Sequence, residues 1–455
     1  MAHVVVIDVP SLGDRSYLVH DGRWAFLVDP QRDVDQVLAL VDHLGVRVTD
    51  VFETHLHADH VTGGLALARS LGAAYRVHEA ERVAFDRVPV APGDLVEVGD
   101  RLVVRVVATP GHTAHHLSYV LVDGPHSAVF TGGSLLCGSA GRTDLPGAGD
   151  AGALAVAQVA SARRLVAELP DHTEVYPSHG PGSCCAAISP VAVSSTIGAE
   201  RRSNPVLVGD VSAAAARLVA GLEAMADYHA GLAAVNAAGP ATADLSLPGV
   251  ADAGALHDWL VAGEWVVDLR DRASFAGAHL AGTLFFGLDG DPAPLLAALM
   301  PRGTALTLLA ANQIEVALAQ RELARLGLDQ PVACATGGPV RWATGGSGRL
   351  AHLDTATFAD LAAARRSRPV VVLDVRSRRE SDGARLDGVL AIPLLELPRR
   401  FGEVPHGEVW VHCADGYRAM VAAALLAALG GRRPVVIDDV FDHEAWGCDV
   451  GNGSA

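Results

Sequence analysis

Cysteine is scarce in this chain, with 6 in 455 residues. That is too few for a disulfide scaffold. Positive charge is also short: 35 Lys and Arg stand against 52 Asp and Glu, for a formal net charge of −17. A surface that acidic repels phosphate backbones, so nucleic-acid binding is disfavoured. Long apolar runs are missing. No stretch that is both apolar and uncharged approaches the roughly 18 residues of a spanning helix. The Ala-rich runs at 151–160 and 419–429 read as buried helices. The stretch MAHVVVIDVPSLGDRSYLV has no basic n-region, and Asp8 and Asp14 interrupt its apolar run. It is not expected to be a secretory signal. These absences predict a cytoplasmic protein with reduced thiols and neither a membrane nor a nucleic-acid partner. Apolar residues at 50% and charged residues at 19% are ordinary for a globular chain. At about 100–200 residues per domain, the length predicts two to four domains.

Short β-branched runs alternate with turn residues in the first third. Residues 4–8, 16–20 and 24–29 read as strands, with a hairpin turn at Asp21-Gly22. Residues 34–45 have helical spacing and stop at a glycine. Strands then alternate with histidine-bearing loops, the layout of a layered α/β domain with ligands on strand-end loops. From about 205 to 260 the chain turns Ala-rich and helical, broken at 237–240 and 245–249, and a domain boundary is expected there.

The remainder holds an internal repeat. Residues 265–282 match 371–388 at an offset of 106, pairing Asp268 with Asp374, Arg270 with Arg376 and His279 with Arg385. Further on the offset falls to 103: LTLLA (306–310) pairs with VWVHC (409–413), and Pro331 with Pro434. Each copy reads strand, helix, strand, helix, which predicts a small parallel sheet wrapped by helices.

The sharpest chemical signal is Thr54-His55-Leu56-His57-Ala58-Asp59-His60, four metal-capable side chains in six residues. Imidazole and carboxylate together suit Zn, Fe or Mn. Two further histidines, in Thr109-Pro110-Gly111-His112 and Tyr176-Pro177-Ser178-His179-Gly180, sit on punctuated loops after apolar runs. In this order the motifs resemble the metallo-β-lactamase fold, an αββα sandwich, over residues 1–240. Within it, THLHADHVTGG, TPGHT, GRTDL (141–145) and STIGAERRSNP (195–205) resemble the persulfide dioxygenase branch. That resemblance implies mononuclear iron oxidising glutathione persulfide, with the iron ligands mapping to His55, His112 and residue 133. The sequence departs at the last position, where Gly133 stands in place of aspartate. Three imidazoles, His55, His57 and His112, remain to hold a divalent ion, Fe(II) or Zn(II). Asp59, His60 and His179 would form a second half-site. A carboxylate returned to position 133 is expected to reach the ion. The resemblance also makes Arg142 a candidate contact for a substrate carboxylate.

A second signal is His412-Cys413-Ala414-Asp415-Gly416-Tyr417-Arg418, between an apolar strand and an Ala/Leu helix. A cysteine on a tight loop entering a helix has amides and the positive helix end near its sulfur, which lower a thiol pKa and stabilise an anionic persulfide. Gly416 permits the turn and Arg418 adds charge. The loop resembles the rhodanese active-site loop, over residues 350–455. In the first copy, Ala310 stands at the position of Cys413, so residues 250–349 are expected to be a rhodanese-like domain without a nucleophile, suited to packing or homodimer formation. Adjacent Cys184 and Cys185 carry no motif and read as core or loop cysteines.

The expected activity is oxidation of a low-molecular-weight thiol persulfide at one metal, with sulfur transfer through Cys413. The alternatives are a zinc hydrolase of thioesters resembling glyoxalase II, and a sulfur carrier whose metal domain is not catalytic.

Overall fold

Period-two burial organises the first strands. In the computed structural model β1 (His3–Val9), β2 (Asp14–His20) and β3 (Trp24–Val28) pair antiparallel. The turn falls where expected: the Asp21 amide donates to the Trp24 carbonyl at 3.1 Å, and Gly22 takes φ 95°. Tyr17, Val19, Phe26 and Val28 face one core, while Leu18, Ala25 and Leu27 face another. Helix α1 (Val34–Leu44) ends at Gly45, whose φ of 64° suits a residue without Cβ. The structure describes residues 2–442 except 124–125, 146, 148, 223–224, 330, 345–348 and 384–385. Arg385 and Cys448 lie outside the described residues.

The chain divides into two compact units, Met1–Asp244 with Ala324–Gly327, and Leu245–Leu323 with Leu328–Ala455. In the first, β1–β3 continue into β4 (Arg47–Phe52), β5 (Ala74–His78) and β6 (Val88–Val90), six strands in chain order. A second six-stranded sheet runs β12-β11-β10-β9-β8-β7, from β7 (Leu95–Val98), β8 (Leu102–Ala108), β9 (Leu117–Asp123), β10 (His126–Gly132), β11 (Glu174–Pro177) and β12 (Ser195–Thr196). The sheets bury a shared aromatic core, with Phe26 edge-on to Phe130 at 5.9 Å. The first sheet's outer face packs on α1 and α2 (Gly64–Leu71), and the second's on α3 (Ala151–Glu168). This is an αββα sandwich. The carboxyl ends of β4, β8 and β11 lead into the histidine loops, and those of β3 and β10 lead to Asp29 and Gly133.

The second unit contains the repeat as two five-stranded, all-parallel sheets of the same strand order. The first runs Gly249–Val250, Ala333–Thr336, Leu306–Ala310, Trp265–Asp268, Leu284–Phe285, and the second Asp354–Ala356, Arg432–Ile437, Gly407–His412, Val371–Asp374, Leu390–Ala391. The register reproduces the sequence offsets: Trp265 pairs with Leu306 as Val371 pairs with Val409. One strand slips by a residue. Thr307 pairs with Ala333, whereas Trp410 pairs with Val435, an offset of 102 where Pro331 and Pro434 imply 103. Both copies close the first strand with an Asp–Arg pair, Arg270 on Asp268 at 2.6 Å and Arg376 on Asp374 at 2.8 Å. Among the described residues no helix is long and apolar enough to cross a membrane.

Candidate metal centre

The loop after β4 turns its polar side chains inward, and His55, His57, Asp59 and His60 are all buried. Two neighbours hold it. Asn236, on the helix His229–Ala238, donates to the carbonyls of His57 and His60 at 2.8 and 2.9 Å and accepts the Thr62 amide at 3.0 Å. Asp29 accepts the Thr54 amide and hydroxyl, each at 2.7 Å, and the Ser178 hydroxyl. Asp29 is the one non-glycine with positive φ among the described residues, at 48°. A strained residue fixed by this many partners marks a position that the site requires.

Each histidine is oriented through one ring nitrogen while the other stays bare. His55 Nδ1 meets the Thr54 hydroxyl at 2.9 Å, and His112 Nδ1 donates to the Arg142 carbonyl at 2.7 Å. His179 Nδ1 lies 3.0 Å from Asp14, and His60 Nδ1 3.1 Å from Asp59. His57 is turned the other way, with Nε2 3.3 Å from both Asp29 and Glu53. That leaves Nε2 of His55, His60, His112 and His179, and both ring nitrogens of His57, buried without a hydrogen-bond partner. A buried unpaired nitrogen costs about 1–3 kcal/mol. A set of them in one place fits a metal whose ligands are aligned by an outer shell of carboxylates and carbonyls. Ligand atoms of His55, His57 and His179 lie within 4.8 Å of one another, as do those of His57, Asp59 and His60, and of Asp14, Asp59 and His179.

The electrostatics divide the histidines. Burial and neighbouring imidazoles hold His55 well below its ordinary pKa, and burial with His179 brings His112 to about 3, which favours the neutral form a ligand needs. Against burial, Asp29 and Glu53 raise His57, Asp59 and Asp14 raise His60 to about 9, and the same two carboxylates raise His179. Asp29 itself, despite its burial, is held at about 2 by His57 and Ser178.

His116 is not a ligand. Its Nδ1 meets Thr109 at 2.8 Å and its Nε2 accepts the Gly133 amide at 3.0 Å. His115 is half-exposed beside Glu81. Gly133 corrects an expectation: a Cβ there would lie 2.2 Å from His112 Cδ2. The His112 ring occupies the space that a side chain at 133 needs. Arg142 is engaged within the chain, its guanidinium on Asp144 at 2.7 and 2.8 Å and on the Cys184 carbonyl at 3.0 Å. It serves the site through its carbonyl, on His112. Asp14, Asp29, Glu53 and Asn236 were not singled out from sequence. They arrive from β2, β3, β4 and a distant helix, and no local motif marks them.

In the second unit, Cys413 is 1% exposed. Its Sγ accepts the Gly416 amide at 3.1 Å and faces Asp415 Oδ1 at 3.5 Å. Gly416 takes φ 91°, and the helix Tyr417–Leu429 starts immediately after it. The lowered thiol pKa is corrected: burial pushes the Cys413 thiol up, and the Asp415 and Ala419 amides with Arg418 offset only part of it. Arg418 is paired bidentately with Glu380 at 2.7 Å on both nitrogens. Ala414 and Tyr417 complete the loop, with Tyr417 donating to the Gly287 carbonyl at 2.7 Å.

Residues 15–179 match the Metallo-beta-lactamase superfamily. The N-terminal region thus has the mixed α/β metallo-β-lactamase fold. Its relatives include enzymes named for two activities. The hydroxyacylglutathione hydrolase of Nitrosococcus oceani is 35% identical over 157 residues, 34% of this chain and 57% of that protein. The mitochondrial persulfide dioxygenase ETHE1 of Bos taurus is 34% identical over 169 residues, 37% of this chain and 61% of that protein. The chain thus spans about three-fifths of the length of these curated relatives. A metallo-beta-lactamase structure from Staphylococcus aureus shares the fold at TM-score 0.65 and 22% identity, covering 74% of this chain and 98% of that one.

Proposed function

We propose that this chain is a metal-dependent enzyme oxidising the persulfide of a low-molecular-weight thiol such as glutathione, with sulfur transfer through Cys413 in a rhodanese-like domain. The Cys413 cradle carries this reading. An amide donated to the Cys413 sulfur at the start of a helix suits a carrier of sulfane sulfur, a role that thioester hydrolysis does not call for. Relatives named for a persulfide and for an acylglutathione support the substrate class.

His55, His57 and His112, each with a bare nitrogen, would hold a divalent ion, Fe(II) or Zn(II), with Asp59, His60 and His179 alongside; the close groups are His55 with His57 and His179, and His112 with His179 and Cys185. Such an ion supplies Lewis acidity and, if iron, electrons for dioxygen. The chain's own residues do the rest. Asp29 and Glu53 anchor His57, and the Arg142 carbonyl fixes the His112 tautomer. At rest, Cys413 is a protonated thiol facing Asp415, and the Gly416 amide stands ready to stabilise the anion of a bound persulfide.

Anaerobically purified protein is assayed for metal, for oxygen uptake on glutathione persulfide and for sulfur transfer from thiosulfate. Bound iron with oxygen uptake, no metal in His55→Ala/His112→Ala, and loss of transfer in a folded Cys413→Ser are the expected results. Zinc with thioester turnover and no oxygen uptake would replace this reading with thioester hydrolysis. The Asp14, Asp59 and His179 group favours that second reading, because it offers a place for a second ion.

A further inference from the structure

We infer that Cys185 supplies the anionic metal ligand that Gly133 does not. This rests on the metal-bound reading of the first unit. Cys185 is fully buried, and one ligand atom each from His112, His179 and Cys185 lie within 4.8 Å of one another. Independently of the sulfur, Nε2 of His112 and Nε2 of His179 are buried and bare. They mark a place where a cation belongs.

The backbone explains how a cysteine so far along the chain arrives there. The Arg142 amide donates to the Cys185 carbonyl at 2.8 Å, the Ala187 amide to the Ala140 carbonyl at 3.1 Å, and Gly141 bridges Ala186. The same short segment holds the other participants. The Gly141 amide donates to the Gly133 carbonyl at 2.9 Å, and the Arg142 carbonyl accepts His112 Nδ1. Residues 140–142 thus fasten Gly133, His112 and Cys185 to one another. The neighbouring Cys184 is exposed and its thiol is in hydrogen-bond contact with that of Cys185, so the two must be told apart by substitution.

The chemistry balances simply. A divalent ion displaces the thiol proton to solvent, one sulfur–metal bond forms, and the thiolate neutralises one of the ion's two charges. Imidazoles alone contribute none of that neutralisation. Thiolate with imidazole is a donor set for zinc, cobalt or iron. The competing description is a core cysteine packed with Ala58 and Leu145.

The full chain, stripped of metal, is titrated with Co(II) alone. Thiolate-to-cobalt charge-transfer absorption is expected in the wild type, Cys184→Ser and Cys413→Ser, and is lost in Cys185→Ser, whose Co(II) affinity falls by at least about tenfold. X-ray absorption of zinc-loaded wild type and Cys184→Ser provides a readout that does not need Cys185→Ser to fold. One sulfur at about 2.3 Å is expected. Stoichiometric binding with nitrogen and oxygen ligands only, or a charge-transfer band that persists in Cys185→Ser, overturns the Cys185 assignment alone. Protein that binds neither ion overturns the metal reading and this inference together.

Discussion

Arg272, in the repeat copy that carries Ala310, donates from Nη1 to the Asp415 carbonyl at 2.6 Å, inside the loop of Cys413. The same nitrogen reaches Asp438 at 2.7 Å, and Nε reaches Asp289 at 2.9 Å. Tyr417, beside Gly416, is held on the Gly287 carbonyl. The copy with Ala310 therefore braces the copy with Cys413.

Arg272→Ala is expected to loosen that brace. Sulfur transfer through Cys413 should fall by about ten- to a hundredfold, the scale of a small misplacement of a reacting group. Arg272→Lys should not restore it, because an ammonium lacks the planar fork that reaches three oxygens. Thiosulfate-dependent transfer rates, read beside thermal melting, check this. Wild-type rates in Arg272→Ala would show that the loop holds itself.

Gly133→Asp is expected to lose metal rather than gain it. Its Cβ would press on the His112 ring, which the Arg142 carbonyl holds in place. Overpacking of this kind costs about 1–3 kcal/mol. Metal content and melting temperature decide the matter. Tighter iron binding in a well-folded variant would mean that the ring moves aside.

Asn236→Ala removes three hydrogen bonds from the histidine loop at a buried position. A stability loss on the order of 3 kcal/mol is expected from the carbonyls and amide left unpaired. Metal affinity should fall with it, although Asn236 is not among the bare donors. Denaturant unfolding and metal titration test the two halves separately.

Glu380 carries a pH dependence. Its pair with Arg418 lowers it from an ordinary 4.5 to about 2. A carboxylate depressed in the folded state contributes stability that is fully present above 4.5 and is lost as pH falls through about 2. The pair is partly open to water, so the contribution is small. Glu380→Gln should flatten the stability profile of the second unit between pH 4.5 and 2 and leave neutral pH little changed. An unaltered acid limb would place that slope on other carboxylates.

Local patterning and crowded chemistry make part of this molecule legible in its sequence. The first hairpin and α1 follow from local patterning, and the repeat was legible because Asp268-x-Arg270 and Asp374-x-Arg376 perform the same closure in both sheets. The histidines stood out because chemistry crowded them into one loop. The side chains that aim them did not. Asp14, Asp29, Glu53 and Asn236 converge from four elements, and only the sheet topology brings them together. Cys185 reads from sequence as a core or loop cysteine for the same reason, since its place depends on pairing with residues 140–142. The raised thiol of Cys413 was missed because local motifs show donors but not the burial that opposes them.

The His112 ring lying over Gly133 ties the two positions together. A change of Gly133 to aspartate meets an imidazole, so a carboxylate is accommodated there only if His112 or its Arg142 support moves in concert. Variants that recover an acidic ligand at 133 should therefore come from paired changes, and single-site libraries at that position should be barren.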